Sequence, residues 1–309
     1  MNKRIIVIVM LSAALVSGFI PVTKSDTFTI NAPFDNVYRQ FISPKSWLKW
    51  EPGLKGLGHN QVAIDSNKSG FKITEPETVI NLQEMGLGNF AIIQTQGNNT
   101  SGFNCAFVPD NKTNKSRATV TRKTNLFGYL SGLIINSHRP SPIAGLKAFM
   151  EDTRQYYGFI IRRELTSKKL IAVQKRSLLS SELYRQTNGM LLRLNDFIVK
   201  NKLKITSPLQ MQYVAVTKDS TQLMLGFPVD KKAAPANGVE YMTMPQGKIL
   251  VGYFNDQYKN KGNLYNAVRQ YMADNYMHPI IQPFERFDNN KVPLSDTSRI
   301  NMQLIVPYM

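Results

Sequence analysis

The stretch GKILVGYFNDQYKNKGNLYNAVRQYMADNYMHPIIQPFERF, Gly247 to Phe287, constrains the fold of this chain more than any other. It opens on an apolar run, Ile249 to Phe254. It continues with Leu264, Ala267, Val268, Tyr271, Met272 and Tyr276, spaced by threes and fours, which predicts a helix with one apolar face. It closes on Pro283-Phe284-Glu285-Arg286-Phe287, a strand-like segment with a single carboxylate among aromatic residues. A lone acid in an aromatic, Met-rich setting is what a pocket for a lipophilic cation requires.

The same order of elements occurs earlier. Lys168 to Gln174 parallels Gly247 to Tyr253, and Leu183-Tyr184 heads a helix through Met190, Leu191, Leu194, Phe197 and Ile198 as Leu264-Tyr265 heads the later one. Pro208 to Tyr213 answers Pro283 to Phe287, and further strands are expected at Gln212–Val216, Thr221–Pro228 and Arg299–Pro307. The second half of the chain therefore reads as β-α-β-β twice, two units sharing one sheet with a groove between their helices.

The 309 residues suffice for two ordinary domains. Residues 26–162 read as the first: strand Thr27–Ile30, a short helix Asp35–Phe41, six short strand-like runs between Gln61 and Thr124, and an amphipathic helix from Ser141 to Ile160. The fold class expected is α+β throughout. The run TFTINAPFDNVYRQF…SWLKWEP, with Thr29-Ile30-Asn31-Ala32-Pro33 and Trp47-Leu48-Lys49-Trp50, resembles the opening of the START/SRPBCC (polyketide-cyclase-like) helix-grip domains. That resemblance implies an antiparallel sheet wrapped round a long closing helix, with a hydrophobic cavity and no shared catalytic set. Core packing is the simpler role for both tryptophans.

Residues 163–309, above all GKILVGYF, PFERF and the polar loop Asp288-Asn289-Asn290, resemble the GyrI-like effector-binding domains found behind DNA-binding domains of AraC- and MerR-type regulators. In that family a glutamate on the strand after the second helix meets lipophilic cations in the groove. By position it is Glu285, with Tyr213, Tyr241, Tyr253 and Phe287 as candidate ligand-binding aromatics. Some members are hydrolases using a Glu and a Tyr; the resemblance matches the Glu and leaves the Tyr open. The helix here ends in Asn275-Tyr276-Met277 where members often carry Trp, so the pocket shape differs. Enclosure by rings dehydrates a carboxylate, which then needs a cation. The plainer alternative pairs Glu285 at the surface with Arg286 or a nearby Lys, although alternation sends Glu285 and Arg286 to opposite faces.

Residues 1–25 begin Met1-Asn2-Lys3-Arg4 and run uncharged from Ile5 to Val22, which predicts a transmembrane anchor or a cleaved signal segment. Lys3 and Arg4 then leave the rest of the chain outside the cytoplasm, in the periplasm, or secreted after cleavage. The net charge of +17 favours anionic surfaces, but the basic residues are scattered and carry no nucleic-acid motif. One cysteine, Cys105, excludes an internal disulfide, and His59, His138 and His278 have no metal-ligand spacing. No cofactor or metal is expected, and nucleic acid is not an expected partner. The reading is a membrane-anchored protein with two modules for a hydrophobic or cationic small molecule. The alternatives are a hydrolase acting on a lipophilic electrophile with Glu285 as general base, and the effector domain of a transcription regulator.

Overall fold

The computed structural model describes residues 19–58, 61–110, 112–126, 129, 141–217, 219–236 and 238–309. The chain is α+β with two antiparallel sheets, and it divides into two compact units that part between Asp152 and Thr153.

The first unit runs β1 (Pro21–Ile30), α1 (Phe34–Ile42), α2 (Pro44–Trp50), β2 (Ala63–Asn67), β3 (Gly70–Thr74), β4 (Thr78–Gly86), β5 (Asn89–Gln96), β6 (Asn99–Asp110), β7 (Lys115–Asn125) and α3 (Pro142–Glu151). Its sheet has the order β1-β7-β6-β5-β4-β3-β2, so β1 closes onto the last strand while the others follow as a meander. The core is aromatic. The Phe41 ring lies 5.2 Å from Trp47, 4.9 Å from Phe90 and 4.7 Å from Phe107, and Trp47 Nε1 donates to the Phe41 carbonyl at 2.7 Å. Both tryptophans are buried in it.

Two expectations need correction here. The single helix Ser141–Ile160 is broken: α3 ends at Glu151, Asp152 is extended, and only a short helix, α4 (Thr153–Tyr157), follows. Glu151 Oε1 accepts from the Asn31 N–H at 2.9 Å, and the Thr153 hydroxyl accepts from the Ile161 N–H at 2.9 Å. These bonds hold the chain on both sides of the break. The second correction is the membrane anchor and the placement outside the cytoplasm derived from it. No helix among the described residues is long and apolar enough to cross a membrane. Pro21 and Val22, expected in the span, instead open β1 and pair with Asn125 and Thr124. Residues 1–18 lie outside the described residues.

The second unit contains α4, β8 (Ile161–Thr166), β9 (Lys169–Leu179), α5 (Leu183–Lys200), β10 (Leu209–Ala215), β11 (Ser220–Val229), β12 (Val239–Met244), β13 (Gly247–Gln257), α6 (Lys261–Asp274), β14 (Phe284–Phe287) and β15 (Arg299–Pro307). Its eight-stranded sheet has the order β12-β9-β11-β10-β14-β15-β13-β8. The repeat is thus fuller than β-α-β-β: each half is β-β-α-β-β. Each half also lends its first strand to the far edge of the other, β8 pairing with β13 and β12 with β9. The halves meet at β10 and β14, where Met211 faces Glu285. Helix α5 lies against β9 and β11, and α6 against β13. A Cβ on Gly252 would stand 2.8 Å from Leu264 and 2.9 Å from Val268, so α6 rests directly on β13 at that point. The strands β10 and β14 lie at the centre of the sheet, between those that carry the two helices.

Candidate functional site

Glu285 sits mid-way along the short strand β14. Alternation turns Glu285 and Phe287 to the helix side and Phe284 and Arg286 to the other. Glu285 has no exposed surface at all. A carboxylate cannot be buried there bare, and the chain surrounds it with donors. Its Oε2 accepts from the Tyr258 hydroxyl at 2.7 Å; its Oε1 accepts from Lys261 Nζ and from the Tyr265 hydroxyl, each at 2.9 Å.

These three donors come from one short segment. Residues Tyr258–Asn260 make a single 3-10 turn that runs into α6, so Tyr258, Lys261 and Tyr265, three and four residues apart, point the same way. Lys261 is the first residue of α6, at the positive end of the helix dipole, where a cation is disfavoured by roughly 0.3–1 kcal/mol. Glu285 removes that conflict. The ammonium also lies 3.7 Å from the Tyr258 ring centroid and 4.2 Å from that of Tyr213. Ring faces add attraction of roughly 0.5–2 kcal/mol each.

The result is a neutral, largely dry cage. Burial holds the Lys261 ammonium below the usual lysine range, with Glu285 opposing that shift. Burial, followed by the Glu285 charge, pushes the Tyr213, Tyr258 and Tyr265 phenols well above theirs. Tyr184, at the start of α5, packs edge-on against Tyr258 at 6.3 Å and donates to Asp296.

The aromatic candidates separate. Tyr213, on β10, is in the cage. Phe287 shares the face of Glu285 but is fully buried in the core. Tyr241, on β12 at the edge of the sheet, packs 6.5 Å from Phe197, and its hydroxyl accepts from the Ala233 N–H at 2.8 Å. Tyr253 lies on the opposite face, donating to Glu164 at 3.1 Å beneath the Arg162 guanidinium. Arg286 also faces that side and donates to Gln303. A lysine does pair with Glu285, then, but inside the protein rather than at its surface. Tyr258, Lys261, Tyr265 and Tyr184 escape the strand-pattern reading. The signal that finds them is the polar Tyr-x-x-Lys-x-x-x-Tyr spacing at the head of the second helix.

Beside the cage lies a groove of about 850 Å³ along α6, walled by Tyr265, Val268 and Met272, by residues 277–283, and floored by Leu304 and Val306 of β15. Leu304 is the register partner of Glu285, so the groove floor adjoins the carboxylate. Tyr265 belongs to both: its side chain lines the groove and its hydroxyl ends on Glu285.

No protein-family model matches the chain, and no curated protein matches it. Solved structures do. The EcmrR C-terminal domain is 12% identical, covering 49% of this chain and 98% of its own, with a TM-score of 0.41. SAV2435 bound to tetraphenylphosphonium is 12% identical over 48% of this chain and 94% of its own, with a TM-score of 0.33. A hydrolase from Listeria innocua is 6% identical over 48% of this chain and 91% of its own, with a TM-score of 0.36.

Proposed function

We propose that the second unit binds a lipophilic small molecule in the groove along α6, with the Tyr265–Glu285–Lys261 cluster reading its polar end. The observation that carries this reading is Tyr265, which joins an apolar cleft to a buried ion pair. The cleft falls within the roughly 300–1,000 Å³ of small-molecule sites and has the expected character, mostly apolar walls with a few convergent polar groups. The resemblance of GKILVGYF and PFERF to effector-binding domains points the same way.

The cluster also narrows the ligand. Glu285 already holds a cation, so a positive ligand is not needed to neutralise it; a cationic ligand must displace Lys261 or lie beside it. Hydrolysis is disfavoured, because Glu285 is fully buried and its oxygens already accept from Tyr258, Lys261 and Tyr265, whereas a general base must be within reach of an attacking water. Binding, with an effector role as its use, fits the geometry better than a reaction does.

The test is a thermal-shift and calorimetric screen of the full chain with tetraphenylphosphonium and with neutral lipophiles of similar size. Ligand-dependent stabilisation is expected in the wild type and is expected to weaken at least tenfold in Met272→Trp, which fills the cleft, and in Tyr265→Phe, which leaves the ring and removes the hydroxyl. Equal stabilisation of all three proteins, or of none, would refute the reading.

A further inference from the structure

The inner face of the first unit's sheet changes character along its length. Period-two alternation places Ile80 on β4, Ile92 on β5, Phe103 on β6 and Val120 on β7 in the core, and all four are buried. Two residues further along each strand, on the same face and at the same end of the sheet, stand Thr78, Gln94, Ser101 and Arg122. Thr78 is buried, Gln94 and Arg122 are half-buried and Ser101 stands exposed at the rim, so the apolar pattern of this face gives way to polar groups as it nears the sheet's end, and such departures from pattern mark functional sites.

They line a cavity of about 650 Å³ together with Glu51 and Gly53, which follow α2, and Pro142, which begins α3. The setting is rigid. A Cβ on Gly145 of α3 would lie 2.5 Å from the Trp50 carbonyl oxygen, so α3 presses directly on the end of α2 and holds Glu51 in place. Glu51 is only 3% exposed. Its Oε2 accepts from the Gly53 N–H at 2.7 Å, while its Oε1 has a side-chain donor only in Gln94, at 3.4 Å. Burial raises its carboxyl above the usual range, against the backbone N–H groups of Gly53 and Leu54. Across the cavity, the Arg122 guanidinium lies 5.5 Å from the Phe103 ring centroid, and its Nε is shut off from solvent without an acceptor. Among the described residues the two charges form no ion pair with each other.

We propose that this cavity is a binding site for a small amino-carboxylate, its carboxylate on Arg122 and its ammonium on Glu51. The reasoning is one of charge and hydrogen-bond satisfaction. A zwitterion meets both charges and brings no net charge into the cavity. A simple anion would sit against Glu51, and a simple amine would leave Arg122 unmet. An apolar ligand would leave Arg122 Nε without an acceptor and would offer the polar lining nothing to bond. Opposite charges held apart on rigid elements are the preorganised form of such a site.

Calorimetry on the full chain tests this with three probe sets: the common L-amino acids, their 2-hydroxy-acid analogues, and a long-chain fatty acid. At least one amino acid is expected to bind, at least tenfold tighter than its hydroxy analogue and than the fatty acid. Arg122→Met is expected to weaken it at least tenfold. Gln94→Leu removes the side-chain donor to Glu51 Oε1 and a polar wall of the cavity, so it is expected to weaken binding as well. Should Arg122→Met fail to fold, Arg122→Lys replaces it with the same expectation. Absence of amino-acid binding, preference for the fatty acid, or affinity unmoved by the folded variants would each overturn the proposal. None of these substitutions touches the second unit, so the outcome is separate from the groove reading there.

Discussion

Replacing Lys261 by Met tests the central electrostatic claim. Glu285 is inaccessible, and Lys261 keeps 16% of its side chain exposed, so the pair is close to fully buried. Removing one partner of such a pair typically costs about 3–5 kcal/mol, because the remaining charge stays buried without compensation. Here the Tyr258 and Tyr265 hydroxyls still donate to Glu285, which places the expected loss near the lower end, about 3 kcal/mol. For a unit of this size that corresponds to a fall in melting temperature of roughly 6–12 °C. The two units must be followed separately. Trp47 and Trp50 both lie in the first unit, so fluorescence reports that unit and should not move. Circular dichroism or hydrogen exchange at α5 and α6 should show the loss. The double variant Lys261→Met with Glu285→Leu should recover most of the stability, since an apolar pair of similar volume is tolerated where half an ion pair is not. A single-variant loss below about 1 kcal/mol, or a double variant no better than the single one, would refute the account of a dry, mutually dependent pair.

Three further outcomes follow from the geometry. Gly252→Ala should destabilise the second unit by about 1–3 kcal/mol in urea titration, because the new methyl meets Leu264 and Val268 at under 3 Å; an unchanged midpoint would mean α6 can lift. Burial raises the phenols of Tyr213, Tyr258 and Tyr265, so these keep their protons after the unfolded chain begins to lose its own near pH 10. Stability should therefore be complete below that pH and fall above it, by up to about 1.4 kcal/mol per pH unit for each such tyrosine, and their tyrosinate absorbance should rise only with unfolding. Glu51 is also raised, so its contribution is fully present below the unfolded carboxylate pKa and is lost as pH rises through the folded one. Glu51→Gln should accordingly raise the first unit's melting temperature at neutral pH and leave it unchanged in acid, as read by tryptophan fluorescence.

Local patterns carried much of this protein. Period-two alternation around Phe284–Phe287 set Glu285 and Arg286 on opposite faces of a strand, and three-and-four spacing from Leu264 to Met272 defined the buried side of α6, because side-chain direction in each element depends only on neighbours in the chain. The repeat was legible as well, though not its exchanged edge strands. Those depend on pairing between residues far apart, such as Gly247 with Thr166. The break at Asp152 likewise turns on bonds to Asn31 and Ile161, which helical periodicity cannot register. Which tyrosines surround Glu285 was a tertiary decision. Tyr253 and Tyr213 look alike in sequence, and only sheet order and face send one beneath Arg162 and the other beside Lys261. The sequence determined by itself that a carboxylate would lie among rings; the folded chain alone decided that its cation is Lys261, since burying a charge selects its partner from whatever the tertiary structure brings within reach.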